Sequence, residues 1–105
     1  MAKEIHHPTT EQIDLSAVLD AMSDPTRRDI VLRLVEVGEE NCSGFSEFGS
    51  KTNLTYHYAR LREAGITSTR IEGTQRLISL RLNDLEMRFP GLMTAILAAA
   101  PRSKT

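Results

Sequence analysis

The chain has 105 residues, 40% of them apolar and 26% charged, with no tryptophan and a net charge of −1. That length allows one domain with a single modest core, and no apolar run approaches the roughly 20 residues that a membrane-spanning helix needs. A lone cysteine, Cys42, excludes an internal disulfide framework, and the opening MAKEIHHPTT lacks the basic-then-apolar pattern of a secretory signal, so a cytoplasmic location is expected.

In chain order, residues 1–9 read as a flexible arm. Thr9 followed by Gln12 has the spacing of a capping box. The helix it opens carries Leu15, Val18, Leu19 and Met22 at helical spacing, so one face is apolar. Ser23-Asp24-Pro25 breaks the chain, and Asp24 as N-cap with Pro25 at the first position starts a second helix running to about Val37. Its core face is Ile30, Leu34 and Val37, with Val31 beside them, and Gly38 ends it. In EENCSGFSEFG, residues 39–49, Phe45 and Phe48 read as core anchors on a short helix limited by Gly44 and Gly49.

Ser50 caps the next helix, whose apolar stripe is Leu54, Tyr58, Leu61 and Gly65. Thr52, Tyr56, Ala59 and Glu63 fall on the opposite face, flanked by Asn53, Thr55 and Arg60. Residues 66–70 and 76–82 read as two strands joined by a Glu-Gly-Thr-Gln tip, the second clearly patterned by Ile78, Leu80 and Leu82. Asn83 or Asp84 caps a last helix, residues 84–100, which Pro90 kinks or restarts. Phe89, Leu92, Met93, Ile96 and Leu97 make this helix apolar on nearly every face. A small monomer cannot bury such a helix alone, so these residues, with Leu15 and Leu19, are expected at a homodimer interface. Residues 101–105 read as a frayed tail.

The charge is unevenly divided. Residues 1–49 carry four basic and ten acidic side chains, whereas residues 50–82 carry six basic and two acidic ones. The basic third coincides with the capped helix and the two strands, where phosphate neutralisation is needed if the segment meets nucleic acid. The order helix, helix, short helix, polar helix, two-stranded wing, helix is that of a winged helix-turn-helix. The expected fold is therefore mostly α with a small β-hairpin: five helices and a two-stranded wing in one domain over residues 1–105.

Readout of the major groove requires hydrogen-bonding side chains at the start of an inserted helix. Lys51, Thr52, Asn53, Thr55 and Tyr56 supply them. His57, at the edge of the apolar stripe, is either a packed core histidine or a base contact. Arg60 and Arg62 are phosphate clamps or salt-bridge partners rather than base readers. Arg70, Gln75 and Arg76 on the wing reach the minor groove or phosphates, or belong to an ordinary exposed hairpin. Arg27 and Arg28 sit where a basic charge opposes the helix dipole, which fits either a nearby phosphate or surface ion pairs. The sequence holds no Gly-x-Ser-x-Gly elbow, phosphate-cradling loop or zinc-protease motif, so neither catalysis nor a cofactor is expected.

Two motifs resemble the ArsR/SmtB family of dimeric bacterial repressors. LDAMSDPTRRDIVLRL, residues 19–34, is similar to that family's apolar helix end followed by Asp-Pro-Thr-Arg and a helix. SKTNLTYHYARLREAGI, residues 50–66, is similar to its Ser-x-Ser-Thr-Val-Ser-His-His-Leu-x-x-Leu-Arg-Glu-Ala-Gly-Leu. The likeness covers residues 13–100. It implies a homodimeric repressor that binds double-stranded DNA at a near-palindromic operator and is released by an effector. The family's Cys-x-Cys metal motif is missing, and so are the acidic and histidine ligands of its zinc-sensing branch. What the resemblance leaves for a metal is His6 and His7 of one protomer with Cys42 of the other, as zinc or copper ligands; the plain alternative is a polar arm and a small packed cysteine. Cys42 as a redox switch, and a small organic effector at the dimer interface near residues 89–97, are two further expectations. The rival from another class is a winged-helix interaction module whose basic face takes an acidic protein partner.

Overall fold

The computed structural model describes residues 5–99, which form five α-helices, a three-stranded antiparallel sheet and two 3-10 segments. The helices are α1 (Leu15–Ala21), α2 (Pro25–Val37), α3 (Lys51–Glu63), α4 (Leu82–Arg88) and α5 (Leu92–Ala99). The strands are β1 (Glu39–Asn41), β2 (Thr67–Glu72) and β3 (Gln75–Leu80), in the order β1-β3-β2. None of the described helices is long and apolar enough to cross a membrane.

The helix starts follow side-chain chemistry. The Asp14 carboxylate accepts the Ala17 N–H, Asp24 accepts those of Thr26 and Arg27, and Ser50 Oγ accepts that of Asn53. Each satisfies backbone donors that have no partner within the helix. Gln12 does accept the Thr9 N–H at 2.9 Å, as the capping-box spacing suggests, but the pair opens only a 3-10 turn, Thr10–Gln12. Extended Ile13 then interrupts the chain, and Asp14 starts α1 in its place.

Arg27 and Arg28 serve a different helix from their own. Arg27 Nε donates to the Ala21 carbonyl at 2.6 Å and Arg28 Nη1 to that of Met22 at 2.8 Å. The basic pair at the start of α2 thus satisfies the open carbonyls at the end of α1 and fixes the tight α1–α2 corner.

Val18 and Ala21 from α1, Met22 at its C-cap, Ile30, Val31 and Leu34 from α2, Phe45, Leu54, Leu61, Ile66, Ile78, Leu85 and Met93 share one core. Val37 is exposed, contrary to the expected stripe, because α2 ends at this residue and the chain turns away into β1. Thr67 and Thr69 of β2 point inward and are buried, which hid the strand's alternation from an apolar count. The wing has three strands where two were expected. β1 pairs antiparallel with β3 through Glu39↔Ser79, Glu40↔Ile78 and Asn41↔Leu77.

The last helix is two helices. α4 starts at Leu82, which is exposed and is no strand residue, and Asp84 is inside it rather than capping it. The Asp84 carboxylate instead accepts Arg81 Nε and Thr10 Oγ1, both at 3.0 Å. Residues 89–91 separate α4 from α5, with Gly91 at φ +81°.

Residues 5–9, expected as part of a flexible arm, are tied to the body. Pro8 is buried and its carbonyl accepts Arg81 Nη1 at 2.7 Å, while His7 Nε2 accepts the Thr69 N–H at 3.0 Å. Ala100 and the expected tail 101–105 lie outside the described residues.

Candidate nucleic-acid interface

α3 is a firmly seated helix with a polar, outward first half. Leu54 and Leu61 are buried, and the half-buried Tyr58 stacks against Phe45 at 5.8 Å between ring centroids. The Tyr58 hydroxyl donates to the Cys42 carbonyl at 2.7 Å, fastening the 3-10 segment Cys42–Phe48 to α3. Burial pushes that phenol well above its usual range, so it stays a donor. Arg33 holds the same segment to α2 through the Gly44 carbonyl, an ion pair with Glu47 at 3.0 Å and the face of the Phe48 ring. The 3-10 segment that precedes α3 is thus pinned from both sides, by α2 and by α3.

Lys51, Thr52, Asn53, Thr55 and Tyr56 are all exposed on the first two turns of α3. Tyr56 is 57% exposed yet held: His57 packs edge-on at 5.4 Å and the Arg60 guanidinium lies 6.0 Å from its ring. Thr55 Oγ1 donates to the Lys51 carbonyl at 2.9 Å, leaving its lone pairs and methyl group outward.

His57 is half-buried, and its Nδ1 is 3.1 Å from Arg27 Nη1. Arginine can only donate, so Nδ1 accepts and the ring proton resides on Nε2. Burial lowers the His57 pKa, the nearby Arg27 cation adds to this, and Asp24 opposes it. Of the two alternatives for His57, this geometry describes the packed, hydrogen-bonded one.

The six cations of residues 50–82 divide in two. Arg60 pairs with Asp20 at 2.8 Å, Arg81 with Asp84, and Arg70 with Glu39 at 3.0 Å and Glu72 at 3.2 Å. Arg70 and Glu39 shift each other toward the charged forms, the Arg70 pKa rising and the Glu39 pKa falling. The reading of Arg70 as an open phosphate contact did not foresee β1, which brings Glu39 within reach. Lys51, Arg62 and Arg76 have no ion pair among the described residues. Gln75 and Arg76 are exposed beside the hairpin tip, where Gly73 at φ +62° takes the first position of a two-residue turn.

These three cations line one half-open cavity of about 750 Å³ between α3, the 3-10 segment and the wing. Its walls include Cys42, Leu54, Tyr58, Ala59, Thr69 and Thr74, and among the described residues no aspartate or glutamate. No local signal in the sequence marks it, because it forms only when residues far apart in the chain meet. Arg62 Nε is buried without an acceptor among the described residues, which costs about 1–3 kcal/mol while it stays unmet.

The other expected sites fare differently. No group of three or more histidine, cysteine or acidic side chains suited to a metal exists among the described residues of the chain. His6 is exposed, His7 is engaged with the Thr69 backbone, and Cys42 lines the cavity instead. Burial pushes the Cys42 thiol up, against the opposing pull of Arg76, which disfavours the reactive thiolate that a redox switch requires. Met93, expected at a dimer interface, is buried within the chain, and Phe89, Leu92, Ile96 and Leu97 are half-buried against its core. Leu15 and Leu19 stand out at 44% and 47% exposure, and Met87, which the sequence reading passed over, at 73%.

The chain resembles known proteins in sequence and in fold, although no family model matches it. It is 33% identical over 84 residues to the uncharacterized HTH-type transcriptional regulator YceK of Bacillus subtilis (strain 168), covering 75% of this chain and 82% of that protein. Its fold matches the crystal structure of an ArsR family transcriptional regulator with a TM-score of 0.65, over 84% of this chain and 98% of that one at 21% identity.

Proposed function

The chain belongs to the helix-turn-helix-type transcriptional regulators, and from that premise we propose that it acts as a homodimeric repressor of the ArsR type. Each α3 enters a major groove of a near-palindromic operator, and an effector releases the DNA. The observation that carries this reading is the first half of α3: Lys51, Thr52, Asn53, Thr55 and Tyr56 are exposed together on a helix whose other face is locked into the core. A base-reading helix needs both properties, since a loosely seated helix would lose in entropy what its contacts gain.

The roles divide by chemistry. Asn53 suits the paired donor and acceptor of an adenine edge, the threonines offer hydroxyls and methyls, and Tyr56 presents a hydroxyl and a flat face. Lys51 and Arg76 are the cations left open for phosphate, with Gln75 beside the hairpin tip. Arg60, Arg70 and His57 position rather than read, being committed to Asp20, to Glu39 and Glu72, and to Arg27. Dimerisation through the exposed leucines of α1 and the apolar faces of α4 and α5 would set two α3 helices about one DNA turn, roughly 34 Å, apart.

The test is affinity capture of sheared genomic DNA by the purified, reduced protein at near-physiological salt, with the bound fragments sequenced. The reading expects enrichment of one shared palindrome. Retention without a shared motif would count against it, and would favour a basic surface that meets an acidic protein partner instead.

A further inference from the structure

We propose that the cavity between α3, the 3-10 segment Cys42–Phe48 and the wing is a binding site for a small organic anion, a carboxylate or phosphate ester with an apolar body. The proposal rests on the DNA-binding reading only for its consequence, that occupancy weakens the hold on DNA.

Three observations converge on an anion. The only cations of residues 50–82 without an ion pair among the described residues are Lys51, Arg62 and Arg76, and all three line this cavity. Among the described residues its lining has no acidic side chain to neutralise them. One of the three, Arg62, has its Nε buried without an acceptor among the described residues. Ion pairs elsewhere on the wing and helix show that acidic partners were available to this fold, since Arg60, Arg70 and Arg81 each have one.

The shape and the remaining walls argue for an organic ligand over a bare ion. About 750 Å³ is within the range of about 300–1,000 Å³ usual for small-molecule sites. Leu54, Tyr58, Ala59 and Cys42 supply apolar surface, while Asn41, Ser43, Ser46, Thr69 and Thr74 supply hydrogen-bonding groups. A phosphodiester of passing DNA needs only the cationic rim.

The site also has a built-in route to an effect. Lys51 and Thr55 belong both to the cavity lining and to the exposed face of α3, and Arg76 both to the lining and to the wing. An anion seated there neutralises cations that DNA phosphates would otherwise meet, so ligand and operator oppose each other, and by linkage each weakens the other equally.

The experiment titrates the full chain, labelled with 15N, with 4-phenylbutyrate, phenyl phosphate, the neutral 4-phenylbutyramide and inorganic phosphate, following amide shifts. The expected result is millimolar or tighter binding of the two aryl anions, with shifts confined to residues around the cavity. Affinity should be at least tenfold weaker for the amide and for inorganic phosphate. Arg62→Gln and the exposed-wing variant Arg76→Gln should each weaken the aryl anions at least fivefold, and the second keeps the test open if the first fails to fold. Equal binding of the amide, shifts scattered over the surface, or no shifts at all would overturn the proposal. So would inorganic phosphate binding as tightly as phenyl phosphate, because the cavity would then be a seat for backbone phosphate alone. DNA binding by the free protein is measured separately. Operator binding with no response to the aryl anions sinks this proposal alone, whereas aryl-anion binding at the cavity without operator binding keeps the site and sinks the proposed function.

Discussion

Tyr56 is exposed to solvent and still oriented, because His57 meets one edge of its ring and Arg60, itself tethered to Asp20, lies over it. That arrangement lowers the entropy the ring would lose in the proposed contact with a base. Asn53→Ala and Tyr56→Ala are each expected to cost about 1–3 kcal/mol on the operator and far less on random duplex, measured by competition binding on the two DNAs. The wing arginines should separate. Arg76→Ala should weaken all duplexes alike and reduce the salt slope by about one, while Arg70→Ala should do little, because Glu39 and Glu72 already neutralise it. Titrating salt on a random duplex checks both. The histidines add a pH dependence. His7 and His57 each accept a hydrogen bond that only the neutral ring can accept, and burial followed by neighbouring arginines lowers the His7 pKa below 6.5. His57 is shifted the same way. The unfolded chain takes up these protons as the pH falls through about 6.5, and the folded chain takes them up only lower. Stability is therefore full above the ordinary histidine pKa and declines beneath it. The urea midpoint should fall between pH 7.5 and 5.5, with a shallower fall in His7→Gln.

At the scale of elements, the helices were legible because their signals are local. Asp24-Pro25, Ser50, Gly38 and the spacing of Leu54, Tyr58 and Leu61 act within a few residues, and each does in the structure what its chemistry suggests. The strand β1 was not legible, since Glu-Glu-Asn has little β-propensity and exists as a strand only because β3 offers it an edge. The pairing of Arg70, the turnover of Arg27 and Arg28 to the end of α1 and the cavity itself are equally non-local. They depend on residues from separate elements meeting, as Arg70 meets Glu39, thirty-one positions away. The candidate site was therefore legible as a list of exposed residues on α3 and illegible in its supports. Gly65 joins the two kinds of information. It ends α3 at φ +84°, and a Cβ there would be 2.5 Å from Ile13 Cγ1. Gly65→Ala should destabilise by more than about 1 kcal/mol, read from urea unfolding, because both the backbone and the Ile13 contact oppose it.

At the scale of the molecule, the proposed function requires two copies. α1 leaves Leu15 and Leu19 exposed, α4 leaves Met87 exposed, and α5 keeps Leu92, Ile96 and Leu97 only half-covered. Leu19→Glu is expected to shift the protein to monomer at micromolar concentration in sedimentation velocity, with operator affinity falling alongside, since one α3 alone fills only a half-site. The proposed dimer would read sequence through α3. The most direct test of that reading is the ratio of affinities for the captured palindrome and for a scrambled duplex of equal length at near-physiological salt. The account predicts a preference of at least about 10³-fold, largely lost in Asn53→Ala combined with Tyr56→Ala. Equal affinity of the wild-type protein for the two duplexes would contradict it.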